Sequence, residues 1–326
     1  MIDFVLTWVD GNDKDWQKEY LKHKGDKQVN FAHYRDWNTL KYWFRAVEKY
    51  APWVRKIHFV TCGQTPEWLN TDNEKINIVN HNNYIDDKYL PTFSANPIEL
   101  NFHKIKDLSE KFVYFNDDTF ITAPVNENDF FIDDLPCDSV AFSSLIPSVK
   151  NEVITYIIFN DLLLINSNFI KNKCIKENFK KYFSLKYGKQ ILRNLYYLPI
   201  GKFSGFVNPH LPNSFLKATF EDVWNKEYEY LDNVCKNKFR SKEDVNQYLM
   251  RYWQIATGKF IPRNQRIGNC VTVDCDKNYL SDIITKQKYK LLCINDCPDI
   301  DNIEYYMNNI IEIFEKQFPQ KSSFEK

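Results

Sequence analysis

Four short, mostly apolar runs constrain this chain more than any other feature: residues 4–9 (FVLTWV), 57–61 (IHFVT), 76–79 (INIV) and 112–115 (FVYF). Each has the length of a buried strand, and segments of helical period lie between them. Across residues 36–50, Trp37, Leu40, Phe44, Val47 and Tyr50 recur at steps of three and four, which predicts an amphipathic helix. Asn96-Pro97-Ile98-Glu99 reads as a helix start capped by Asn96, with the helix running to about Lys106. Strands alternating with helices predict an α/β fold with a mainly parallel, Rossmann-like sheet flanked by helices.

The second half is more helical. Ser241-Lys242-Glu243-Asp244 is expected to open a helix with Val245, Tyr248, Leu249, Tyr252 and Ala256 on one face, ending at Gly258. Residues 303–318 carry the stripe Ile303, Met307, Ile310, Ile311 and Phe314. The expected organisation is one catalytic domain: an α/β core over 1–140, a catalytic and acceptor half over 141–280, and a helical end over 281–326.

Hydrophobic residues at 44% suit a packed core, and most of the many aromatics are expected there. Lys plus Arg and Asp plus Glu both number 43, so no global field points to nucleic acid or to an anionic membrane. No apolar run approaches the roughly 20 residues of a membrane span, and residues 1–9 lack a basic leader. A cytoplasmic location is therefore expected. Eight cysteines in such a chain are expected to be free thiols. Cys270-x4-Cys275 and Cys293-x3-Cys297 only loosely suggest zinc ligation.

The sharpest local signal is Phe112-Val113-Tyr114-Phe115 running into Asn116-Asp117-Asp118. Ligands bind at the carboxyl ends of such strands, and paired carboxylates suit Mg²⁺ or Mn²⁺. An ordinary turn closing the strand explains the same residues equally well. The first strand supplies Asp3 and, at its end, Asp10-Gly11, where glycine lets backbone approach a ligand. Glu99 and His103 stand four apart, as on one helix face. His210 is held between Pro209 and Pro212, suiting a general base. Arg240 precedes the expected helix start at Ser241, where N–H groups and a guanidinium would converge on phosphate. A helix cap, a surface histidine and a surface arginine are the plain alternatives for these last three. Taken together, the set matches phosphoryl transfer.

Four blocks give the chain a likeness to a known family. They are residues 2–13 (IDFVLTWVDGND); Arg35-Asp36 through 50–57 (YAPWVRKI), 60–70 (VTCGQTPEWLN) and 90–94 (LPTFS) to Phe115-Asn116-Asp117-Asp118; 208–212 (NPHLP); and 239–246 (FRSKEDVN). The closing segment 318–326 also looks like the tail of bacterial members. In these blocks the chain resembles the Stealth family of sugar-phosphate transferases. The resemblance implies a GT-A-like sheet. It also implies transfer of a sugar-1-phosphate, from a nucleotide-sugar donor such as UDP-N-acetylglucosamine, to a hydroxyl of a capsular or cell-surface polysaccharide. It places Asp3, Asp117, Asp118, His210 and Arg240 in catalysis. Asp117 and Asp118 then hold Mg²⁺ or Mn²⁺, and Asp10, Gly11, Arg35, Glu99, His103 and Asn116 contact substrate. Lys104, Cys62 and Asn82-Asn83 depart from the family pattern, which bears on contacts to the donor sugar. A glycosyltransferase releasing a nucleoside diphosphate and a non-catalytic nucleotide- or carbohydrate-binding module are the alternatives. A lipid-linked acceptor would bring the protein to the inner face of a membrane, although no basic amphipathic helix announces this.

Overall fold

A computed structural model describes residues 1–25, 34–147, 153–297 and 300–326. Four parallel strands form the centre: β1 (Ile2–Thr7), β2 (Ile57–Thr61), β3 (Ile76–Asn80) and β4 (Lys111–Phe115). β5 (Thr119–Ile121) follows β4 after one turn and leaves the sheet. β6 (Asn213–Leu216) returns antiparallel to β4 and completes the order β3-β2-β1-β4-β6. The strands are level, with Phe4 opposite both Ile57 and Val113. The four parallel strands thus have the order of a mononucleotide-binding half, and their parallel pairing is what the alternation of strands and helices predicts. β7 (Gly268–Thr272) and β8 (Leu291–Asn295) join β5 in a second sheet.

Both faces of the central sheet are buried, which explains why its strands read as continuous apolar runs. Ile2, Phe4 and Leu6 of β1 face one core, and Val5 faces the other. The first core includes Trp43, Phe44 and Val47 of the helix Leu40–Tyr50, and Ile310 and Phe314 of the helix Ile303–Gln317. Phe4 lies 4.9 Å from Phe115 and 5.6 Å from Trp53, ring centre to ring centre. Each such aromatic contributes about 1.5–3 kcal/mol by burial. The second core contains Leu249 and Tyr252 of the helix Tyr248–Ala256, against which the helix Val153–Asn168 packs. The chain end is locked to the first core. Arg45 donates twice to Glu325, at 2.8 Å each, and Phe324 packs on Phe44.

Three helix boundaries differ from the sequence reading. The first helix starts at Leu40, not at 36. The second is Ala95–Leu100, capped by Ser94, and a separate 3-10 turn, Phe102–Lys104, follows it. The third does not begin at Ser241. The Asp244 carboxylate accepts from the Ser241 N–H at 2.9 Å and from the Asn237 and Asn96 side chains at 2.7 Å. That side chain folds the segment into turns, and helix begins only at Tyr248.

Candidate active site

The C-terminal edge of the sheet gathers acidic and basic groups from distant parts of the chain. Asn116 turns the backbone, its carbonyl accepting from Thr119 N at 3.1 Å and Thr119 Oγ1 at 2.8 Å. The Asp118 carbonyl then accepts from Ile294 N at 2.9 Å, so β8 grips the turn. Asp118 Oδ2 accepts from Cys293 Sγ at 3.5 Å and lies 3.6 Å from His210 Nε2, beyond hydrogen-bond reach but within ion-pair range. Asp118 Oδ1 is buried and has no hydrogen-bond partner among the described residues. Burial raises the Asp118 carboxyl above its ordinary range, with His210 opposing. Asp117 is exposed, yet protein crowds its carboxylate. Poor hydration, with the charges of Asp118 and Asp36 added, pushes it up to about 8.

His210 reaches this cluster on a braced loop. Its backbone is left-handed, φ 51°, between two prolines. Arg251 Nη1 donates to Asn208 Oδ1 at 2.7 Å, and Asn208 Nδ2 donates to Tyr252 Oη at 2.6 Å. Arg251 is itself buried against Asp138 at 2.7 Å. His210 therefore lines a small polar crevice with Tyr114, Asn116 and Tyr248.

Arg240 comes from a segment pinned elsewhere. Phe239 stacks on Phe93 at 5.3 Å, and the Lys238 carbonyl accepts from Phe93 N at 2.7 Å. The Arg240 side chain is exposed and makes no ion pair among the described residues. Its charge still acts on buried Glu99, which accepts from Tyr114 Oη at 3.0 Å and Gln247 N at 3.2 Å. Burial pushes Glu99 up to about 7. Asp10 is held by Gln64, whose Oε1 accepts from Asp10 N at 2.8 Å while its Nε2 donates to Asp10 O at 3.0 Å. Beyond the ends of β2 and β3 opens a cleft of about 520 Å³, lined by Trp16, Cys62, Gln64, His81 and Phe93.

Comparison with known proteins identifies the family. Residues 2–27 match the Stealth protein CR1 conserved region 1, and residues 33–138 match the Stealth protein CR2 conserved region 2. The chain is 46% identical over 332 residues to the capsular polysaccharide phosphotransferase WcwK of Streptococcus pneumoniae, covering 100% of this chain and 98% of that one. It is 41% identical to the receptor polysaccharide phosphotransferase WefC of Streptococcus oralis, covering 99% of each. Among solved structures, the apo form of the bifunctional glycosyltransferase WbbM superposes with a TM-score of 0.40 at 12% identity, over 97% of this chain and 51% of that one, too distantly to bear on the site.

The chain belongs to the Stealth family.

It is accordingly an enzyme, a phosphotransferase. In this Stealth chain the matched regions hold Asp10, Glu99, Asp117 and Asp118, whereas His210 and Arg240 lie beyond both. Five expected features sit differently in the structure. Asp3 stands at the other end of the sheet: it is level with Phe112, so the end of β4 at Phe115, where the Asn116-Asp117-Asp118 turn begins, is about 10 Å farther along at ~3.3 Å per residue. There its carboxylate accepts from Arg55 Nε at 2.8 Å and Ser109 N at 2.8 Å and meets His58 Nε2 at 3.0 Å. Burial opposes its charge, but these hydrogen bonds prevail and hold it below the usual range. His103 packs 6.0 Å from the rings of Phe220 and Trp224, near Lys217 at the far end of β6. It shares no helix face with Glu99, because the helix ends between them. Gly11 makes room for protein: a Cβ there would meet the Tyr34 carbonyl oxygen at 2.2 Å. Arg35 is engaged by Asp296 at 3.0 Å. The cysteines group across strands: Cys270 faces Cys293 in register, and their sulfurs and a His210 nitrogen lie within 4.8 Å of one another.

Sequence reasoning missed Asp36 and Asp296. Burial raises Asp36, Asp10 adds to this, and Asp36 in turn raises Asp117. Its only signal is adjacency to Arg35 in a block that carries the family likeness. Asp296, which acts on Asp118, has no motif to betray it.

Proposed function

We propose that this phosphotransferase moves a sugar-1-phosphate from a nucleotide-sugar donor to a hydroxyl of a surface polysaccharide, a lipid-linked precursor included. The observation that carries the reading is the approach of His210 to the Asp117-Asp118 turn at the C-terminal edge of the sheet; Arg240, whose charge acts on buried Glu99, and a cleft of nucleotide-sugar size beyond β2 and β3 support it. The relatives act on capsular and receptor polysaccharides, which supports the acceptor class.

Asp118 Oδ1, buried without a donor, and the crowded Asp117 are the groups a hard divalent cation would satisfy. Asp117 and Asp118 would hold Mg²⁺ or Mn²⁺. Such an ion neutralises diphosphate charge and polarises the phosphoryl oxygen. The chain's own groups do the rest. His210, oriented by its braced loop and by Asp118, takes the proton of the acceptor hydroxyl. The acceptor oxygen bonds to the sugar-bearing phosphorus as the bond from that phosphorus to the bridging oxygen breaks. Arg240 offsets the charge that builds on the phosphoryl oxygens and on the departing nucleoside monophosphate. The sugar keeps its anomeric bond.

The test is to identify the released nucleotide from a UDP-sugar by chromatography. Phosphoryl transfer yields UMP. UDP as the initial product would replace this reading with glycosyl transfer.

A further inference from the structure

The region 153–205, which leads into the His210 loop, is unlike the rest of the surface. Ten large apolar side chains between Tyr156 and Ile200 are exposed, Leu185 at 89% and Tyr196 at 76%, against six in all other described residues. In the helix Val153–Asn168, Ile157, Leu164 and Ile165 face the core, while Tyr156, Phe159 and Leu163 turn outward at helical spacing. The helix Gln190–Tyr197 buries only Asn194 and turns Leu192, Leu195 and Tyr196 out. Charge in the same region is one-sided. Lys173, Lys176, Lys180, Lys186, Lys189, Arg193 and Lys202 are exposed, and Glu177 is the one exposed carboxylate among these residues. This occurs in a chain whose formal net charge is zero.

Exposed Leu, Ile, Phe and Tyr among lysines match an interface with anionic lipid, where apolar groups enter the acyl boundary and cations meet headgroups. We propose that the 153–205 surface docks the enzyme peripherally on an anionic bilayer. Among the described residues no single helix is long and apolar enough to cross a membrane; the helices Val153–Asn168 and Lys171–Glu177 reach that length and composition only as a pair bent by 73°. A second copy of the chain would carry the same positive charge to the same face, which disfavours a symmetric dimer there. The segment runs on into the His210 loop. Ser143 N donates to the Gly205 carbonyl at 3.0 Å, and His210 follows five residues later. Docking here holds the site at a fixed height above the lipid headgroups. The inference goes beyond the reaction and is read without substrate, so it stands or falls separately from it.

The experiment is vesicle co-sedimentation of the full chain with phosphatidylglycerol-containing and with pure phosphatidylcholine vesicles. Binding to the anionic vesicles is expected, weakening as salt rises. Leu192→Ser/Tyr196→Ser and Lys189→Glu/Arg193→Glu are each expected to lower the bound-to-free ratio about tenfold or more. Both should keep the parent melting temperature and the parent turnover of a soluble oligosaccharide acceptor. Equal partition of parent and variants, or binding indifferent to lipid charge, would overturn the proposal. So would a concentration-dependent dimer that the variants abolish while vesicles fail to bind.

Discussion

The two ends of the central parallel sheet hold carboxylates in opposite states. At the N-terminal end, Asp3 is buried yet fully served by Arg55, His58 and Ser109, and it is held below the ordinary carboxylate range. At the C-terminal end, Asp118 has a buried oxygen with no donor, and Asp117 and Glu99 are pushed up to about 8 and about 7. Evenly satisfied charge builds a fold, while unsatisfied charge waits for a ligand. The difference separates an aspartate bound into the fold from the acidic groups proposed for catalysis.

The comparison breaks most visibly in activity. Asp118→Asn and His210→Ala are each expected to lower kcat roughly 10³-fold, within the range for loss of a charge-stabilising or proton-accepting group. Their melting temperatures should stay near the parent's, because neither residue has a full set of protein partners to lose. Retained turnover in either purified variant would remove that residue from the chemistry. Asp3→Ala should do the reverse. Stranding the Arg55 charge and the His58 and Ser109 groups should cost about 3 kcal/mol by denaturant unfolding, with turnover per folded molecule kept.

Acid sharpens the contrast. The folded pKa of Asp3 is depressed, so its stabilisation is present above its unfolded value near 3.8 and is lost as pH falls through the lower folded value. Glu99 has the opposite sign. Its folded pKa of about 7 exceeds the unfolded 4.5, so its contribution is whole below pH 4.5 and fades as pH rises through 7. Glu99→Gln, which can still accept from Gln247 N, should therefore match the parent near pH 4.5 and exceed it by about 1–2 kcal/mol at pH 8. A pH-independent difference would mean that Glu99 is ionised throughout.

Much of the α/β core was legible because burial on both faces writes strands as apolar runs. Residues 57–61 coincide with β2, the runs 76–79 and 112–115 fall one residue short of their strands, and 4–9 is offset from β1 by two residues at each end. Helix starts were less legible. Asp244 takes a backbone N–H through a side-chain bond, and local pattern does not say which partner a carboxylate will choose. The docking surface was hidden for a related reason. The helix Val153–Asn168 is apolar all round, so no amphipathic signal marks its free face, and its lysines come from the helices after it. Asp3 misled because a carboxylate in an apolar strand looks alike whether it meets an arginine or a ligand.

The sequence by itself determined the strands, the parallel order they imply, the family, and the Asn116-Asp117-Asp118 tip. These follow from side-chain periodicity and local backbone chemistry, which act over a few residues. Tertiary structure alone decided which groups meet there. It set Asp36, Asp296 and Cys293 around the acidic pair and sent Asp3 and His103 away. Strand register and loop closure fix distances between residues far apart in sequence, and no local pattern carries that information.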